Sequence, residues 1–231
     1  YDVTGTFTTY KNTIVKLAEG VDFFTTGGSR IGDFARNKIG HPVSAFYGYK
    51  VIGIFADDAY VAKSPVQKDA KPGRFKYEDA DQDGKITDND REFIGNPNPK
   101  FTYGLNLNLA YQNFDISAFF YGVQGKDIIN YTKWWTDFYS SFQGGKSKRA
   151  LNDAWTPQNK NAKLPIVENS SNFSNQQVPN SYLVEDGSYL RLKTIQLGYS
   201  LPKKVINKYG IDRFRIYIQA ANLFTITKYD G

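Results

Sequence analysis

The segment that decides the fold is Tyr103-Gly104-Leu105-Asn106-Leu107-Asn108-Leu109-Ala110-Tyr111. Its odd positions are large and apolar, whereas its even positions are Gly, Asn or Ala. This alternation with a period of two is typical of a β-strand that has one apolar face and one polar face. Gln112 and Asn113 then make a tight connection, and the alternation resumes from Phe114 to Tyr121. The sequence therefore predicts a long β-hairpin.

Three more segments alternate in the same way. A second hairpin is predicted between Tyr189 and Phe224, and a single strand near Val3 to Thr9. In the first arm of the second hairpin the alternation changes phase between Leu192 and Ile195, which predicts a β-bulge. We thus expect five strands, with arms close to the roughly 9–11 residues that a tilted strand needs to cross a bilayer.

The connections between these strands are unequal. The turns within the two hairpins are short, whereas the segments from Lys11 to Lys100 and from Lys126 to Ser188 are long and rich in Gly, Asn, Pro and charge. Short turns at one end and long loops at the other are typical of outer-membrane barrels. The predicted fold class is therefore all-β, a transmembrane antiparallel β-barrel.

Composition narrows the alternatives. The chain has 231 residues, no Cys and no Met, and 29 Lys and Arg against 23 Asp and Glu. Without thiols it cannot form disulfides, a Cys-based zinc site or a Cys nucleophile. An aromatic content of 16% argues against general disorder. Since the chain begins inside a predicted strand, without Met, and stops just after another, we expect it to be a fragment.

An acidic loop from Asp79 to Asp90 carries the clearest chemical motif. Its acidic positions and Gly84 match the spacing of an EF-hand-type cation loop, in which Gly permits the sharp turn. The expected ligands are Asp79, Asp81, Asp83, the backbone carbonyl of Lys85, Thr87 and Asp90. Asp90 replaces the usual Glu, so the site is predicted to bind Ca²⁺ more weakly or to admit Mg²⁺. The predicted role is structural, bracing a long loop; a solvated acidic turn is the alternative.

The sequence contains no convincing set of catalytic residues. His41 is the only histidine and has no identifiable triad partners, so a packing role is favoured. Glu78 and Glu92 show no spacing that selects a catalytic pair. The segment 145–147 resembles the end of a phosphate-binding loop, but Ser140 stands where the first Gly is required. We expect no enzymatic activity, and nothing beyond net charge suggests nucleic-acid binding.

An aromatic cluster has three possible roles. It comprises Tyr131, Trp134, Trp135, Phe138 and Tyr139. The favoured interpretation is an aromatic girdle at the membrane interface; a loop core and a sugar-stacking platform are the alternatives.

Taken in order, the motifs resemble those of one family, the SusC/RagA family of TonB-linked outer-membrane transporters. The matching segments are 40–49 with 53–55, 79–84, 94–97, 154–159, 186–193, 197–202 and 222–224. Each motif alone is unspecific, and their order along nearly the whole chain carries the resemblance.

The resemblance implies a 22-stranded barrel filled by an N-terminal plug, with residues 1–231 as a C-terminal portion that lacks the plug and most strands. It also implies import of oligosaccharides or peptides together with a SusD-like surface lipoprotein, with energy from TonB acting on the missing N-terminal part. The chain would lie in the outer membrane of a Gram-negative bacterium, with its loops extracellular. Lipid-facing residues would be Val3, Phe7, Leu105, Leu107, Leu109, Ile116 and Phe120; lumen-facing residues would be Asn106, Asn108, Asp115 and Ser117.

The main alternative is a soluble β-sandwich carbohydrate-binding module stabilised by calcium. It shares the aromatic residues and the acidic loop, but it requires the apolar face of the sheet to be covered by a second sheet.

Overall fold

The structure is a computed structural model that describes residues 1–138, 140 and 144–230. Within these residues the strands are β1 Asp2–Thr9, β2 Phe23–Thr26, β3 Ala35–Lys38, β4 Ala45–Tyr49, β5 Val51–Ile54, β6 Phe75–Tyr77, β7 Arg91–Gly95, β8 Phe101–Tyr111, β9 Phe114–Gln124, β10 Asp127–Ile129, β11 Val184–Asp186, β12 Tyr189–Ser200 and β13 Arg215–Thr227. The α-helices are α1 Asp58–Ala62, α2 Tyr131–Thr136, α3 Lys148–Asn152 and α4 Lys203–Ile206. Among the described residues, no helix combines the length and the apolar character needed to cross a membrane.

The chain divides into two compact units. The first, here called the strand unit, comprises Tyr1–Lys11, Pro99–Lys126 and Asp186–Tyr229. Its five strands form one antiparallel sheet in the order β1-β8-β9-β12-β13. The five predicted strands are therefore confirmed. The first hairpin has arms of 11 residues each, joined by Gln112 and Asn113, with Gln112 in the left-handed region at φ 54°.

The strand register places the predicted lipid-facing residues on one face of the strand unit. Leu107 pairs with Val3 on one side and Ala118 on the other, and Leu109 pairs with Ile116. This face is open: Leu105 is 38% exposed and Leu109 is 46% exposed. In a β-sandwich this face would be covered by a second sheet, so the soluble-sandwich alternative is wrong.

The opposite face of the strand unit carries polar and charged groups. Asn108 pairs with Ser117, which confirms that both share a face. Further along, Arg215 Nη2 forms an ion pair with Asp115 Oδ2 at 2.5 Å. This pair crosses over Gly198, where a Cβ atom would overlap both side chains. Glycine at this position therefore permits the close approach of a cross-strand ion pair to the sheet.

The predicted β-bulge is present in β12. Between Leu192 and Thr194 the register shifts relative to both neighbouring strands. Relative to β9, Lys193 is an extra residue, since Leu192 and Thr194 pair with the adjacent Phe120 and Phe119. The bulge keeps Leu192 and Ile195 on the apolar face, although they are three residues apart.

The second unit, here called the loop unit, comprises Asn12–Asn98, Asp127–Glu185 and Asp230. It contains the sheet β2-β3-β4-β7, the ladder β5-β6, and β10 paired with β11. Its core joins residues from both long loops: Ile31, Phe34, Tyr49, Phe75, Tyr77, Ile86, Trp134, Phe138 and Leu183. The long segments are therefore structured, because each supplies apolar surface that the other buries.

The aromatic cluster belongs to this core. Trp134 and Phe138 are 7% and 5% exposed, and the Trp134 indole N–H donates to the Gln176 carbonyl at 2.8 Å. The favoured girdle interpretation is therefore wrong for these two residues, and the loop-core alternative is confirmed. The sequence pattern does not indicate this burial, because α2 is too short to show an apolar stripe. Tyr139 lies outside the described residues.

Candidate functional site

The acidic loop brings three predicted ligands together. Carboxylate oxygens of Asp79, Asp81 and Asp83 all lie within 4.8 Å of one another. Backbone N–H groups orient them: Gly84 N donates to Asp79 Oδ2 at 3.0 Å, and Lys85 N donates to Asp83 Oδ1 at 2.8 Å. Gly84 has φ 83°, a left-handed conformation that most side chains avoid. The backbone hydrogen bonds and the left-handed turn at Gly84 thus bring the three carboxylates together.

These residues fit a divalent cation. Among the described residues, the Oδ1 atom of Asp79 is buried and has no hydrogen-bond partner. A buried carboxylate oxygen without a partner is costly, and a hard cation is the partner that carboxylates favour. The carbonyl oxygen of Lys85 accepts no hydrogen bond from the described residues either, so it remains available as the predicted backbone ligand.

Asp90 and Thr87 have a different position from the three clustered carboxylates. Asp90 is fully buried, with Oδ1 accepting from Ala80 N at 2.8 Å and Oδ2 accepting from Thr87 N at 2.6 Å. Thr87 caps the 3₁₀ turn Asp88–Asp90 in a capping box with Asp90. The Asp90 carboxylate therefore links the beginning of the loop, at Ala80, to its end, at Thr87. Its role as a cation ligand remains a prediction.

The loop is held by one contact that the motif suggested and by one that it did not. Ile86, the apolar eighth position of the motif, is 8% exposed and belongs to the loop-unit core. Val66 was missed: its N–H donates to the Gly84 carbonyl at 2.9 Å, and Ile86 N donates to the Val66 carbonyl at 2.8 Å. This bridge links positions too distant in sequence for any motif to predict.

Tyr49 connects the end of the loop to the core. Its hydroxyl donates to Asp88 Oδ1 at 3.1 Å. Burial, reinforced by the Asp88 carboxylate, raises the pKa of Tyr49 well above its ordinary value. Tyr49 therefore stays a neutral donor at any physiological pH.

His41 has a packing contact, as favoured from the sequence. Its ring stacks on Phe93 with centroids 3.7 Å apart and planes 16° apart.

Comparisons with known proteins agree with this architecture. No protein-family model matches the chain. A TonB-dependent receptor of Formosa agariphila is 34% identical over 232 residues, covering 97% of this chain and 22% of the relative. TonB-dependent receptor SusC of Bacteroides thetaiotaomicron is 25% identical over 237 residues, covering 100% of this chain and 22% of SusC.

The solved structures that match include the RagAB peptide transporter. The TM-score is 0.76 with 25% sequence identity, over 99% of this chain and 23% of that chain. The chain thus spans between a fifth and a quarter of the length of the proteins it matches. Its sheet is part of the same barrel fold, and its location is the outer membrane of a Gram-negative bacterium. The chain is a homologue of a segment of the TonB-dependent receptors of the SusC/RagA type.

Proposed function

We propose that the chain is a C-terminal barrel portion of a nutrient importer energised through TonB. The observation that carries the proposal is the two-faced sheet of the strand unit. Its apolar face is exposed at Leu105, Leu109 and Ile116, whereas its opposite face bears the Arg215–Asp115 ion pair. A sheet with this division suits a barrel wall between lipid and an aqueous lumen.

The transported solute would be an oligosaccharide or a peptide. The matched RagAB protein is described as a peptide transporter, and the named relatives are receptors, which agrees with a non-enzymatic role. We propose a SusD-like surface lipoprotein as partner, with the loop unit on the extracellular side. The plug and the residues that contact TonB would lie in parts of the protein that this chain does not contain.

Partitioning of the intact protein tests this proposal. The protein is extracted from the outer-membrane fraction with detergent, and its intact mass is measured together with that of any co-purifying protein. We expect a species about four times the length of this chain, found only with detergent and bound to a lipoprotein. A freely soluble species of the length of this chain would overturn the proposal.

We further propose that the acidic loop binds Ca²⁺, or Mg²⁺, through Asp79, Asp81 and Asp83, with Lys85, Thr87 and Asp90 completing the site. The support is the convergence of three carboxylates and the buried, unpartnered oxygen of Asp79. The ion would hold the loop that leads from β6 to β7 and would thereby stabilise the loop unit.

Chelation tests the cation proposal. All three Trp residues of the chain lie in the loop unit, so the Trp fluorescence of this 231-residue chain reports on unfolding of the loop unit. We expect EDTA to lower the unfolding midpoint and Ca²⁺ at 100 times Kd to restore about 2.7 kcal/mol. Asp81→Asn should abolish the response to Ca²⁺, whereas the exposed control Asp22→Asn should retain it. An equal response in both variants would contradict the proposal.

A further inference from the structure

Two arginines share one face of the sheet β2-β3-β4-β7. In the ladder, Arg36 pairs with Ala45, and Arg91 pairs with Tyr49. Since Ala45, Tyr47 and Tyr49 alternate along β4, both arginines lie on the face that carries Tyr47. β4 runs between β3 and β7, so the two side chains reach Tyr47 from the strands on either side of it.

Both guanidinium groups contact aromatic rings. The Cζ atom of Arg36 lies 3.5 Å from the centroid of Tyr47 and 4.0 Å from that of Phe23. The Cζ atom of Arg91 lies 5.2 Å from the centroid of Tyr47. Cation–π contacts of this kind hold a guanidinium in place without using its N–H donors.

Neither arginine has an anionic partner among the described residues. No ion pair or hydrogen bond to either side chain is present there, and both Nε atoms are buried without a partner. By contrast, Arg74 and Arg215 are each held by a carboxylate. Burial lowers the pKa of Arg36, and the positive charge of Arg91 acts in the same direction.

Asp88 is the carboxylate whose charge acts on Arg36, but it already accepts a hydrogen bond from another residue. Asp88 acts on Arg36 through its charge but forms an ion pair with neither arginine, and its Oδ1 accepts from the Tyr49 hydroxyl. Arg36 and Arg91 are half-buried rather than buried, and the guanidinium of Arg36 stacks on Phe23, a residue that is 43% exposed. The two unpaired guanidiniums therefore offer planar donor groups near the surface of the sheet. Planar forks of this kind match carboxylates in bidentate geometry.

We propose that Arg36 and Arg91 form a binding site for a carboxylate group of a solute. The inference rests on the importer proposal only for the origin of the solute, which would be a uronate-bearing oligosaccharide or an acidic peptide. Phe23 would supply an apolar edge on which the remainder of the solute packs.

The test uses the detergent-solubilised intact protein and isothermal titration calorimetry. The probes are trigalacturonate and triglutamate, which carry carboxylates on a sugar and on a peptide, with neutral maltotriose as the uncharged comparison. We expect saturable binding of at least one charged probe and none of maltotriose. The charged probe that binds identifies the source of the carboxylate.

Variants distinguish binding at Arg36 and Arg91 from non-specific attraction of the charged probe to exposed cations. Arg36→Gln and Arg91→Gln should each weaken binding of the charged probe at least tenfold, since each removes a charge-assisted donor group. Arg36→Lys keeps the charge but not the planar fork, and should also weaken binding. The matched control is Lys38→Gln, an exposed cation on the same strand and face, which should change affinity less than twofold.

Two outcomes overturn the proposal. One is the absence of binding to both charged probes; the other is an equal loss of affinity in Lys38→Gln and the arginine variants. Trp fluorescence verifies that each variant is folded, and if Arg36→Gln is unfolded, Arg91→Gln and Arg36→Lys decide the matter. Because outer-membrane partitioning does not depend on these residues, failure here leaves the importer proposal standing.

Discussion

Glu185 is a nearly buried carboxylate of the loop unit that is surrounded by donors. It forms an ion pair with Lys133 Nζ at 2.6 Å and accepts from Asn130 Nδ2 at 3.1 Å and from Asp230 N at 3.0 Å. Burial alone would raise the pKa of Glu185, but these donors outweigh burial and lower it. The ionised form is therefore favoured in the folded protein.

We therefore expect the ionised Glu185 carboxylate to stabilise the folded protein at neutral pH and to lose this effect in acid. Because the pKa of Glu185 is lower in the folded state, the contribution is complete above the ordinary pKa of 4.5 and is lost as the pH falls from there through the lower pKa of the folded state. Glu185→Gln should lower the free energy of unfolding by about 2 kcal/mol at pH 7. The difference from the unmodified protein should shrink at pH 3.5, in denaturant titrations followed by Trp fluorescence.

An exposed carboxylate provides the comparison. Glu19→Gln should leave the free energy of unfolding within about 0.5 kcal/mol of the unmodified protein at both pH values. A loss in Glu185→Gln that is as large at pH 3.5 as at pH 7 would show that packing, not ionisation, is responsible.

At the scale of elements, the strands of the strand unit are defined by alternation. Leu107 and Asn108 are adjacent in β8 but pair with Ala118 and Ser117, respectively, on opposite faces. The same register continues through β1 and across the bulge in β12. Each strand therefore presents one face suited to lipid and one suited to water.

This division predicts opposite tolerance to charge at neighbouring positions. Leu107→Arg places a cation on the lipid face and should cost about 2–4 kcal/mol if the residue lies near the bilayer midplane. Asn108→Arg, on the polar face, should cost much less. The measurement is unfolding from lipid vesicles in a denaturant series, and equal costs at both positions would refute the assignment of faces.

At the scale of the whole molecule, the two long loops depend on each other. Trp134 and Leu183 come from the second loop, whereas Ile31, Phe34 and Tyr77 come from the first, and all share one core. Neither loop would bury enough apolar surface alone to offset its conformational entropy. The loop unit should therefore unfold cooperatively.

Truncation of Trp134 tests this cooperativity. Trp134→Ala should cost about 3–5 kcal/mol, because it removes a large buried side chain and the hydrogen bond of its indole. Limited proteolysis should then cut both loops at similar rates, including the first loop, which the substitution does not touch. Leu151→Ala, at an 84%-exposed position, should leave the cleavage pattern unchanged. Cleavage confined to the second loop would contradict the prediction.

The sequence by itself determined the five strands, their faces, the bulge between Leu192 and Ile195 and the turn at Gln112 and Asn113. These features depend on neighbours one to four residues apart, so a period of two and its interruption are visible without any partner. The convergence of Asp79, Asp81 and Asp83 belongs to the same class, since it follows from local turn geometry.

The tertiary structure alone decided where the aromatic residues go and which groups remain without partners. Trp134 packs with residues of the first loop, Val66 braces Ile86, and Arg36 and Arg91 meet at Tyr47. These contacts join positions far apart in the chain, and short, irregular elements carry no period that would indicate them. Packing chooses among such partners by shape and burial, which a one-dimensional pattern does not record.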